Sequence, residues 1–83
     1  MMVVVKTDTN IYLNVEEFCA RGGDYFNSPG LYIKTTGHDE YFSVIHCDVE
    51  KARKMLVDIA SEISRYRADG LVLEVHDGKI RSL

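Results

Sequence analysis

The chain has 83 residues, 46% of them hydrophobic and 28% charged, with a formal net charge of −3. That length suits a single domain, 1–83, built on one modest core, and the apolar fraction excludes a disordered chain. The acidic balance argues against a protein whose main work is neutralising phosphates, and no apolar run approaches the ~18 residues a membrane-crossing helix needs. The opening Met1-Met2-Val3-Val4-Val5-Lys6 lacks both a preceding basic stretch and signal-peptide length, so the cytoplasm is the expected compartment. Cys19 and Cys47 do not make a disulfide framework and read as reduced, partly buried thiols.

In chain order, residues 3–6 form a β-branched run, residues 7–10 are turn-forming, and residues 11–15 alternate apolar and polar side chains. Together they predict a first hairpin. Residues 16–30 are irregular, broken by Gly22-Gly23 and by Asn27-Ser28-Pro29-Gly30. Within them, residues 15–20 fit either one helical turn or a continued strand through Phe18 and Cys19. Residues 31–36 and 40–47 predict a second hairpin across Gly37-His38-Asp39. The 40–47 strand is apolar on both alternating faces, the pattern of a central strand whose second face is partly covered.

Residues 48–70 carry the clearest helix signal. Asp48 is an N-cap, Glu50 suits the first turn, and Arg65 and Arg67 suit the last. Gly70 can supply a left-handed stop, placing the helix at about 48–68. Val49, Ala52, Leu56, Ile59, Ala60, Ile63 and Tyr66 recur at helical spacing as the buried stripe, while Lys51, Lys54, Asp58, Ser61, Glu62 and Arg65 fall opposite.

Residues 71–76, Asp77-Gly78 and residues 79–83 predict a hairpin with a type I′ turn. Its two-residue turn sets His76 opposite Lys79, Val75 opposite Ile80, Glu74 opposite Arg81 and Leu73 opposite Ser82. Apolar then meets apolar on one face and acid meets base on the other. The short connections around the helix predict that the 71–76 strand runs parallel to the 40–47 strand.

The expected fold is therefore α+β: a mostly antiparallel sheet of about five or six short strands, with one long amphipathic helix on one face. Leu31, Ile33, Leu71, Leu73, Val75 and Ile80 should face the helix. The open face should carry Tyr12, Asn14, Tyr32, Lys34, Val72, Glu74, His76 and Arg81.

No metal site and no catalytic set is legible. His46 and Cys47 are strand neighbours that diverge to opposite faces. His38 and His76 read as solvated at turns, and His46 as partly buried in the sheet. Carboxylate neighbours such as Asp39-Glu40 read as solvated surface, and Arg21-Gly22-Gly23-Asp24 as a flexible turn. The chain is expected to be non-enzymatic and free of cofactors.

What remains is an aromatic pattern. Tyr12, Tyr32 and Tyr41 on the open sheet face suit protein association, because tyrosine buries much area at low entropic cost. Tyr25 and Phe26 sit on an irregular segment, where two readings stand: binding anchors, or a plug that folds back on one end of the core. The leading expectation is a small protein-interaction or regulatory module that docks a protein partner or forms a homo-oligomer through the sheet face opposite the helix. One alternative is a single-stranded nucleic-acid binder that stacks bases on the same tyrosines near Lys6, Lys34 and Arg81, although the net charge disfavours it. Another is an accessory or ligand-binding subunit that uses the 22–30 loop.

Overall fold

The computed structural model describes residues 2–65 and 70–83. Its elements run β1 (Met2–Lys6), β2 (Ile11–Tyr12), β3 (Val15–Arg21), β4 (Gly30–Thr35), β5 (Phe42–His46), α1 (Val49–Arg65), β6 (Gly70–His76) and β7 (Lys79–Ser82). The class is α+β, but the strands divide between two sheets, β2-β1-β6-β7 and β3-β4-β5. Asn14 is the point of division: with φ at 54° it ends the 11–15 run, and Val15 leaves to pair with Thr35. Asn, unlike a β-branched residue, tolerates that left-handed conformation. Its carbonyl accepts the Thr36 N–H at 3.0 Å, tying the corner to β4. Residues 15–21 are thus a strand, which settles the choice against a helical turn.

The parallel pairing corrects the sequence expectation. β6 lies parallel to β1, Met2 beside Gly70 through Lys6 beside Glu74, and not beside the 40–47 strand. The reason is visible in β1, whose Val3, Val4 and Val5 are all buried. A strand with β-branched side chains on both faces belongs between two neighbours, and β1 has β2 and β6. β5 is instead the edge of its sheet, with Phe42, Ser43, Val44 and Ile45 each half-buried and His46 exposed. The expectations of a central 40–47 strand and of a partly buried His46 are both corrected.

One core joins the layers. Val3, Val5, Leu71, Leu73 and Val75 meet Val15, Leu31 and Ile33 from the other sheet, and α1 contributes Ala52, Met55 and Ile59. Asp48 caps the helix by accepting the Lys51 N–H at 2.8 Å. Leu56 and Ile63 pack at the stripe's margin, but Ala60 is exposed and Met55, absent from the expected stripe, is buried. The helix is therefore rotated so that positions 52, 55 and 59 lead, a spacing as helical as the one read from sequence. Gly70 opens β6 opposite Met2 without a left-handed φ, so it does not stop the helix. Tyr66, Arg67 and the connection at 68–69 lie outside the described residues.

The last hairpin has the predicted register at every pair, His76–Lys79 through Leu73–Ser82. Asp77 and Gly78 have φ of 50° and 71°, as a type I′ turn requires. Lys51 of α1 lies where a Cβ on Gly78 would project. Gly78→Val is expected to cost about 1–3 kcal/mol, through strain at positive φ and displacement of the lysine. A thermal melt reads this, and an unchanged midpoint would mean that the turn has no need of positive φ.

Candidate interaction surface

The outer face of the three-stranded sheet is set by alternation. Phe18 and Ala20 of β3 pack inward beside Ile33 and Leu31, so Glu17, Cys19 and Arg21 face out, beside Lys34, Tyr32 and Gly30. Arg21 holds this face together. Its guanidinium lies 4.6 Å from the centre of the Tyr41 ring and 5.6 Å from that of Tyr32, within cation–π range of both. The Tyr41 hydroxyl donates to Glu17 at 2.7 Å, and that bond holds the phenol's pKa above its ordinary value. Tyr32 is only 5% exposed, and its hydroxyl donates to the Ser28 carbonyl at 2.5 Å.

Above this brace stands the loop of residues 22–29. Asp24 organises it: one carboxylate oxygen accepts the backbone N–H of Phe26 at 2.8 Å and of Asn27 at 2.7 Å. The Asp24 N–H returns a bond to the Asn27 carbonyl at 2.9 Å. This is the local turn chemistry aspartate favours. The Phe26 and Asn27 amides hold the Asp24 carboxyl below its usual pKa, so the fastening is present at neutral pH and is lost as acid protonates it. At the base, the Pro29 carbonyl accepts the Cys47 N–H at 3.1 Å, fixing the loop to the end of β5.

The turn throws Tyr25 and Phe26 outward. They are 93% and 88% exposed, and their rings meet edge to face with centroids 5.0 Å apart. They do not plug the core, so of the two sequence readings the folded-back one is corrected. Two adjacent aromatics left in water on a hydrogen-bonded loop form a compact apolar projection.

The five residues picked from sequence are therefore not one patch. Tyr32 and Tyr41 share the outer face, with Tyr32 buried beneath Arg21 and the loop as part of the brace. Tyr12 is elsewhere: it pairs with Val5, so it turns toward the core and stacks on Phe42 at 5.6 Å. Ile11 and Leu13, which alternation along this strand would place on the core side, are the exposed ones, at 63% and 59%. The assignment of Tyr12 to the open face is corrected, because partners across an antiparallel pair share a face. No row of open rings is left on this sheet for bases to stack upon.

The outer face of the four-stranded sheet carries charges. Glu74 receives Arg81 at 2.7 Å and Lys6 at 3.9 Å, beside a cleft of about 400 Å³. At its end His76 contacts Asp8 and Asp77, a cluster the sequence reading missed. The signal was there in principle: extending the parallel register two residues past Lys6–Glu74 brings Asp8 to His76. His38 is likewise engaged, with Nδ1 3.0 Å from the Thr35 hydroxyl and its ring against Phe42. Among the described residues no group of three or more His, Cys, Asp or Glu is gathered as a metal site would require. No described helix is long and apolar enough to cross a membrane. No family model, curated protein or solved structure matches the chain.

Proposed function

We propose that the protein is a small non-enzymatic interaction module that docks on a protein partner through the Tyr25–Phe26 projection. The observation that carries this reading is the near-complete exposure of both rings on a loop fixed by Asp24. Exposed aromatics on a rigid support are the usual anchors of protein interfaces, since little conformational entropy remains to be lost on docking. Arg21, Tyr32 and Tyr41 serve the projection from below and need not touch the partner. The reading keeps Tyr25 and Phe26, which the sequence offered as binding anchors, and sets aside the sheet face of the leading expectation. The anchor is the loop tip and not a row of tyrosines across the sheet.

A photo-crosslinking phenylalanine analogue at position 26, in the native cell, tests this reading. A discrete adduct is expected at that position and none from the same analogue at Lys54 on the helix exterior. An adduct of twice the chain's mass would identify a second copy as the partner. Equal labelling from the two positions would sink the proposal. Tyr25→Ala with Phe26→Ala should weaken capture of that partner by about 30-fold or more, as loss of a hot spot does. The melting transition should stay within about 0.5 kcal/mol of the parent's.

A further inference from the structure

His76 joins two loops that are distant in sequence. Its Nδ1 is 2.8 Å from a carboxylate oxygen of Asp8, in the turn between β1 and β2. Its Nε2 is 3.2 Å from a carboxylate oxygen of Asp77, in the turn between β6 and β7. Both ring nitrogens thus face acceptors that have no proton to give when ionised. A neutral imidazole carries one N–H, and its other nitrogen would set a lone pair against a carboxylate. Only the imidazolium keeps the Nδ1 hydrogen bond to Asp8 while setting positive charge at Nε2 against Asp77.

Between the same two turns lies a crevice of about 360 Å³ lined by Val44, Ile45 and Val75, with Asp8 and Asp77 at its rim. The geometry points to His76 as a proton-operated latch: charged, it ties Asp8 to Asp77 beside this crevice, and on losing its proton it releases one of the two turns. The turn that loosens is that of residues 7–10, because Asp77 is the chain neighbour of His76, whereas Asp8 lies 68 positions away and is held to the ring by the Nδ1 contact.

Charges of both signs surround the ring. Glu74, the next outward residue on β6, favours the charged ring, as do Asp8 and Asp77. Lys79 lies opposite on β7, and Lys51 of α1 reaches the turn at Gly78. Lys6 and Arg81 are both engaged with Glu74. The hydrogen bond to Asp8, then the charge of Asp77, hold the imidazole's pKa above the ordinary 6.5. The latch's contribution is therefore fully present below that ordinary value and is lost as pH rises through the raised one.

The test is an NMR titration of the whole chain, following the His76 ring and the backbone amides of Thr9 and Asn10. The ring midpoint is expected above 6.5, with the loop amides moving at the same midpoint. Asp8→Asn, which keeps the shape and removes the charge, should lower the midpoint. His76→Gln should abolish the loop's pH response while the β6–β7 amides keep their pattern, which shows that the hairpin is still formed. Loop amides that stay flat while the ring titrates would overturn the proposal. An unchanged midpoint in Asp8→Asn would do the same.

Discussion

Replacing Ile59 with alanine is expected to remove about 2–5 kcal/mol of stability. The side chain is 2% exposed, at the centre of the helix face that meets both sheets. Its loss combines the transfer term for the deleted methyl groups with a cavity that neighbours on two sheets cannot collapse to fill. A domain of this size holds roughly 4–12 kcal/mol in all. The melting midpoint should therefore fall by some tens of degrees, or folding should fail at 37 °C. Met55→Ala is the sharper companion, because Met55 at 3% exposure distinguishes the observed helix rotation from the one read in sequence. It should fall in the same range, while Lys54→Ala should move stability by no more than about 0.5 kcal/mol. Met55→Ala melting like Lys54→Ala would mean that the helix is turned the other way.

Gly30→Ala is expected to have an effect of similar size. Gly30 sits at φ 156°, where β4 passes so close to β5 that a Cβ would press into the carbonyl oxygen of Ile45. That obstacle is backbone, so no rotamer change relieves it, and the strands must separate where Gly30 pairs with His46. Strain and overpacking together are expected to cost about 2–5 kcal/mol. Hydrogen exchange locates the damage. The amides of β5 and of Cys47, which is bonded to Pro29, should lose protection first, and those of β6 and β7 last. Uniform loss, or none, would show that the approach is looser than the geometry gives.

Sequence made local chemistry legible and left partner choice hidden. The β6–β7 hairpin could be read pair by pair because Asp77-Gly78 fixes both turn type and register within a dozen residues. The helix was legible for the same reason, except that a stripe containing both Ala60 and Leu56 leaves its rotation open by one position. β3 was obscured because Glu16, at a register shift, interrupts the alternation of Glu17, Phe18, Cys19 and Ala20. That β6 would choose β1 depends on which strand edge is left free in the assembled fold, and no local pattern states it. At the candidate surface, Tyr25 and Phe26 stood out as residue types. Their direction was encoded in Asp24 and Asn27, whose turn expels the rings between them. The Asp8–His76 contact spans 68 positions and appears only once the parallel register is known.

The pairing of β1 with β6 also sets an order in time. The three-stranded sheet closes within residues 15–46, so its contacts can form while the chain is still being made. The four-stranded sheet cannot be completed before Gly70 has been synthesised and reaches Met2. Until then β1 has only β2 beside it and its other edge stays open along Val3, Val4 and Val5, the kind of edge most prone to pair with the wrong neighbour. β1, made before β6, therefore completes its pairing late, and slowed synthesis between the two strands lengthens the time its edge stands open.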